Sequence, residues 1–140
     1  MLANIVFNEV ITIPSERKSV KLIEPILCEL YNTLNIHKDL YYDLLITCSE
    51  AVNNAIIHGN KCSADKSVKF EVCAHDDVIE IIVKDEGDGF DPNEVSNPLD
   101  EENLFKSSGR GLFLIRELSD MTNIISNSRG TTVNFVFEIK

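Results

Sequence analysis

Three short stretches of this chain carry residues whose chemistry exceeds what packing requires. In Ser49-Glu50-Ala51-Val52-Asn53-Asn54-Ala55-Ile56-Ile57-His58-Gly59, the residues Glu50, Asn54 and His58 recur every fourth position. On an α-helix that spacing lines a carboxylate, a carboxamide and an imidazole along one face. The small apolar residues Ala51, Val52, Ala55 and Ile56 lie on another face and imply close packing. A carboxylate so placed can take a proton, and a carboxamide oxygen is a hard ligand suited to Mg²⁺ held mainly by phosphates and water. The alternative is a solvated polar face.

The second stretch is Asp85-Glu86-Gly87-Asp88-Gly89-Phe90-Asp91, at the end of a hydrophobic run. A strand-end carboxylate can accept a hydrogen bond from an exocyclic amine such as that of adenine, while glycines let backbone approach a flat ligand. An acidic turn or a calcium loop are the alternatives, and the latter is opposed by the lack of EF-hand ligand spacing. The third stretch, Ser107-Ser108-Gly109-Arg110-Gly111-Leu112, stands at a helix start. Unpaired N–H groups there suit phosphate; a hinge is the alternative. Neither the P-loop pattern nor a three-glycine dinucleotide fingerprint is present.

These residues need elements to position them. Residues 4–13 read as an edge strand with Ile5, Phe7 and Glu9 on one face. Pro14-Ser15 supplies a turn and an N-cap for a helix over 16–34, which Pro25 must kink or divide. A helix over 38–59, with a stripe from Leu40 to Ile56, ends on Gly59 as its C-cap. Residues 67–74 and 78–84 form a hairpin. A long polar segment, 86–108, has the character of a lid or binding loop. A helix follows Gly109-Arg110-Gly111, and strands 122–128 and 131–139 close the chain. The order β, α, α, β, β, lid, α, β, β predicts an α+β two-layer sandwich: a mostly antiparallel mixed sheet with helices on one face.

Composition narrows the function. The 140 residues suit one domain over 1–140. Thirteen Lys and Arg against 23 Asp and Glu leave a net charge of −10, which opposes non-specific nucleic-acid and anionic-membrane binding. Cysteines 28, 48, 62 and 73 form no close pair, so a zinc site is not expected. With no signal-peptide pattern and no apolar run of membrane-spanning length, reduced thiols in a cytoplasmic protein are expected.

Taken in order, Glu50 to Gly59, Asp85 to Gly89, Gly109-Arg110-Gly111 and Gly130-Thr131-Thr132 resemble the N box, the two glycine boxes and the penultimate-strand Gly-Thr of the GHKL ATPase superfamily (Bergerat fold). That superfamily includes gyrase, certain chaperones, histidine kinases and mismatch-repair ATPases. The short chain and the wording SEAVNNAIIHG are most similar to the bacterial anti-sigma-factor serine/threonine kinases. The resemblance implies a histidine-kinase-like ATPase domain using ATP and Mg²⁺. It implies Glu50 as general base and Asn54 as Mg²⁺ ligand, with His58 in the same motif. Asp85 would meet the adenine amine, Gly87 and Gly89 would line the adenine pocket, Gly109 and Gly111 would serve the phosphates, and Thr131 would assist the base through water. It further implies a small antagonist phosphorylated on Ser or Thr, a sigma factor as binding partner, and a homodimer.

The segment SNPLDEENLFKSS departs from the threonine-rich, basic lid of the sporulation and stress-response kinases. Eight acids (Asp85, Glu86, Asp88, Asp91, Glu94, Asp100, Glu101 and Glu102) and no Lys or Arg run from 85 to 102. A polyanion would need a compensating field there, so Lys106 and Arg110 are the expected phosphate contacts and a strong Mg²⁺ dependence follows. A nucleotide-sensing binding module with little kinase activity is the alternative function.

Overall fold

A computed structural model describes residues 4–90 and 107–139. Along the chain run β1 (Ile5–Pro14), a 3-10 turn (Arg17–Ile23), α1 (Glu24–Leu34), α2 (Lys38–Asn54), a π turn (Ala55–Gly59), β2 (Ser67–His75), β3 (Val78–Lys84), α3 (Ser107–Leu118), β4 (Met121–Asn127) and β5 (Gly130–Glu138). The strands form one sheet in the order β1-β2-β3-β5-β4, and every pairing is antiparallel. Strict alternation explains the two layers. Val68, Phe70, Val72 and Ala74 of β2, Ile79, Ile81 and Val83 of β3, and Val133, Phe135 and Phe137 of β5 are buried in one cluster with Leu27 and Leu30 of α1, Leu44, Cys48 and Val52 of α2, and Leu112 and Ile115 of α3. The fold is α+β, with the helices on one face of the sheet.

β1 is an edge strand as its pattern predicts, but a register shift between Ile5 and Phe7 breaks its alternation. A bulge re-aims the residues before it, so Phe7 is buried and Ile5 is exposed rather than sharing its face. Residues 16–34 divide in two, as Pro25 requires. Pro25 stands in the first turn of α1, where a missing N–H removes no helical bond. Ser15 does not cap this segment: the 3-10 turn begins after Glu16 without a side-chain cap bond, and the Ser15 hydroxyl donates instead to Lys66 O at 2.6 Å.

The expected helix over 38–59 is interrupted. α2 keeps its α-helical bonds to Asn54, and the last five residues widen into the π turn, closed by Asn60 N–H donating to Ala55 O at 2.8 Å. Gly59 is not a left-handed cap; positive φ follows later, at Lys61 (52°) and Cys62 (56°). The two hairpins turn tightly. His75 pairs with Val78 around Asp76-Asp77, and Asn127 pairs with Gly130 around Ser128-Arg129. The sheet thus brings the C-terminal end of β3 and the first residues of β5 side by side, beneath the π turn and α3.

Candidate functional site

Asp85 is the first residue past β3, and its carboxylate is held by backbone. Its N–H donates to Thr131 O at 2.9 Å. Its Oδ1 accepts from Gly87 N–H at 2.9 Å and from Thr131 N–H at 3.0 Å. The residue is 5% exposed, and burial pushes the carboxyl above its ordinary value, partly offset by the bonds from Gly87 and Thr131 and by the Lys66 charge. Its other oxygen, Oδ2, lies over Gly59, where a Cβ would fall 2.1 Å away. A carboxylate has about four acceptor positions. With Oδ1 taken by two amides, Oδ2 faces the glycine floor with capacity for an amine donor.

Gly87 packs equally closely. A Cβ on it would fall 2.1 Å from Gly59 O, so residues 59 and 87 are a backbone-on-backbone contact. Gly89 has φ +83°, a left-handed value that favours glycine, and it abuts Asn127 O. Phe90 N–H donates to Ser126 Oγ at 2.7 Å, and Ser126 Oγ shares a 2.7 Å bond with Thr131 Oγ1. Thr131 therefore reaches Asp85 through its backbone N–H, while its hydroxyl is engaged with Ser126.

The second half of the site lies where α2 meets α3. Glu50 and Asn54 project toward Gly111. A Cβ there would fall 2.8 Å from Asn54 Nδ2 and 3.0 Å from Glu50 Oε2. The glycine thus leaves room for both polar heads against the helix. α3 already includes Ser107, so Gly109, Arg110 and Gly111 lie within the helix instead of preceding it. Arg110 Nη2 stands 3.9 Å from Glu50 Oε1, with the guanidinium 62% exposed and the carboxylate 23%. The predicted phosphate contact is thereby placed beside the predicted base.

His58 does not join the polar stripe on equal terms. The π turn changes the helical period after Asn54, and His58 is exposed while Glu50 and Asn54 are half-buried. Lys106 and the segment 91–106, with most of the expected lid, lie outside the described residues.

One residue escaped the sequence reasoning. Asn60, 1% exposed, donates from Nδ2 to Ser15 Oγ at 3.0 Å and to Ser67 O at 2.9 Å, and its Oδ1 accepts from Glu86 N–H at 2.7 Å. Glu86 Oε2 in turn accepts from Ser67 N–H at 2.6 Å. The only sequence signal was adjacency to His58-Gly59, because the partners lie 45, 7 and 26 residues away.

The geometry can be set beside known proteins. The histidine kinase-like ATPase domain profile matches residues 13–137. Serine-protein kinase RsbW of Staphylococcus epidermidis is 31% identical over 137 residues, covering 91% of this chain and 84% of the relative. The Staphylococcus aureus RsbW matches with the same identity and coverage. Among solved structures, the RsbU and RsbW domains of Rv1364c from Mycobacterium tuberculosis superpose with a TM-score of 0.66 at 18% identity, over 95% of this chain and 32% of that one. The blue-light activated histidine kinase EL346 of Erythrobacter litoralis gives 0.57 at 20% identity, over 74% of this chain and 32% of that one. These two share the fold, and this chain spans about a third of each. A buried strand-end carboxylate held against Gly59, and a glutamate and an asparagine of α2 held against Gly111, thus accompany a match over most of the sequence: the chain belongs to the histidine kinase-like ATPase family, among relatives of the RsbW serine-protein kinases.

Proposed function

We propose that this chain binds ATP and transfers its terminal phosphoryl group to a Ser or Thr of a small antagonist protein, and that in its other state it binds a sigma factor. The names of the RsbW relatives support the kinase reading, and residues 1–140 act in it as one ATPase domain in the cytoplasm. The observation that carries it is the meeting of Glu50 and Asn54 over Gly111, with Asp85 held against Gly59 at the end of the π turn that continues α2.

Each residue has a task that follows from its surroundings. Asp85 Oδ2 accepts from the adenine amine, Gly87 and Gly89 line the adenine pocket, and Gly59 lets backbone pack closely beside the carboxylate. Asn54 holds Mg²⁺ through its carboxamide oxygen. A carboxamide oxygen suits an ion that arrives with phosphate and water. Bound Mg-ATP supplies the transferable phosphoryl group and neutralises its charge. Glu50 takes the proton from the acceptor hydroxyl, and Gly109, Gly111, Arg110 and Lys106 are assigned to the phosphates. Phosphoryl transfer asks mainly for positioning and charge compensation.

The test is transfer of labelled phosphate from Mg-ATP to a purified candidate antagonist, comparing wild type with Glu50→Gln. The variant should keep its nucleotide affinity and lose transfer by about 100-fold or more, the range of general-base effects. Equal transfer by both proteins would remove Glu50 from the mechanism. A second reading, a nucleotide-sensing module, is favoured by the Arg110–Glu50 contact, which engages the carboxylate. In that case Mg-ATP changes partner affinity and no phosphorylation depends on Glu50.

A further inference from the structure

The carboxamide of Asn60 joins three parts of the chain beside Asp85: the turn after β1 through Ser15, the start of β2 through Ser67, and the backbone leaving β3 through Glu86. Its orientation is set by its partners, since Glu86 N–H can only donate and Ser67 O can only accept. Ser15 Oγ is itself oriented by donating to Lys66 O. The register matters more than the number of bonds. Gly59 lies under Asp85 Oδ2, and the very next residue, Asn60, holds the N–H of the residue after Asp85. Residues 59–60 and 85–86 are clasped as two consecutive pairs, one by contact and one by a hydrogen bond. Asp85 has no side-chain donor among its described bonds; its depth over the glycine floor is set by backbone, and Asn60 is the side chain that grips that backbone.

We propose that Asn60 is a positioning residue for nucleobase selection: by fixing Glu86 N–H it sets the depth of Asp85 Oδ2, and with it the preference for a purine bearing a 6-amino group. This rests on the reading that Asp85 accepts from the adenine amine. Asn60 touches no nucleotide atom; it acts through Asp85. Replacement by Asp turns an oxygen toward Ser67 O, and replacement by Ser removes the reach to Glu86.

The experiment compares the affinity of the whole chain for Mg-ATP and for the Mg complex of purine riboside triphosphate, which lacks the 6-amino group, alongside thermal melting. Wild type should prefer ATP by about tenfold, the worth of one hydrogen bond to a buried charge. Asn60→Asp and Asn60→Ser should bring that ratio toward one while affinity for the purine analogue stays within about twofold. A purely structural Asn60 would lower the melting temperature and both affinities together, leaving the ratio at the wild-type value, and that result overturns the proposal. Should both variants fail to fold, Asn60→Gln decides: it keeps the amide but displaces by one methylene the oxygen that holds Glu86 N–H, so a reduced ratio upholds the proposal and an unchanged one overturns it. No preference in wild type would overturn the Asp85 reading and this proposal with it, whereas a preference that survives every variant overturns the Asn60 role alone.

Discussion

A β-carbon on residue 59 would fall 2.1 Å from Oδ2 of Asp85, so the last residue of the π turn and the carboxylate beyond β3 occupy adjoining space that only a glycine permits. Gly59→Ala forces one of them aside. Overpacking of this kind destabilises by about 1–3 kcal/mol. The carboxylate has a second way to yield, by moving off residue 59. We expect a folded variant with a lower melting temperature and no measurable Mg-ATP binding by calorimetry; wild-type affinity would show that the close approach is not used by the nucleotide.

The protonation of Asp85 separates stability from binding. Burial, the largest cause, holds its carboxyl above the ordinary value of 3.8. The folded chain therefore keeps this proton more tightly than the unfolded chain does. The resulting stabilisation is fully present below 3.8 and is lost as pH rises through the raised value. Binding runs the other way, because the ionised carboxylate is the better acceptor for an amine. Mg-ATP affinity should decline on acidification at a pH above 3.8, and Asp85→Asn should abolish that pH dependence. At neutral pH the same variant should lose affinity by about tenfold to 100-fold, the range for a bond to a charged group, without a lower melting temperature from the lost charge.

Gly111→Ala probes the meeting of α2 and α3. The atoms a Cβ would crowd are the ends of Asn54 and Glu50, which can swing away, and alanine is favoured over glycine in a helix by about 1 kcal/mol. The variant should melt no lower than wild type yet transfer phosphate at least tenfold more slowly, with Glu50 and Asn54 displaced. Unchanged transfer would mean that their approach to α3 is incidental.

Arg110→Ala should leave stability nearly unchanged, since an exposed ion pair contributes about 0–1 kcal/mol. Its effect belongs to the nucleotide. Combined with Lys106→Ala it should weaken Mg-ATP binding and reduce the salt dependence of that binding. Equal affinity in the double variant would remove both residues from the phosphate site.

Alkylation distinguishes the thiols. Cys48 is fully buried and burial pushes its thiol far up, whereas Cys28 and Cys62 are exposed. Thiolate is the reactive form, so iodoacetamide applied to the native protein should modify Cys28 and Cys62 and leave Cys48 intact until denaturant is added. Mass spectrometry of the peptides reads this directly.

Local patterns made much of the fold legible. Period-two alternation in β2 and β3, and the apolar stripe of α2, each place a buried face without knowledge of its partner, and Pro25 divides residues 16–34 where its missing N–H does no harm. The same locality explains the failures. Nothing in Ile5, Val6 and Phe7 announces a bulge, because register is decided by the β2 residues opposite. Gly59 has the sequence signature of a helix cap, and only the arrival of Asp85 from 26 residues away shows why a side chain is excluded there.

The site divides along the same line. Residue types and spacing by themselves marked Glu50, Asn54 and Asp85 as candidates, and the order of the motifs carried the resemblance to the histidine kinase-like ATPases. Tertiary structure alone decided how they are held. The π turn carries His58 out to solvent, Gly111 brings α3 against Glu50 and Asn54, and Asn60 bonds to Ser15, Ser67 and Glu86. Hydrogen bonds and close contacts between distant segments depend on the path of the backbone through space, and that path is set by the packing of the whole sheet against its helices.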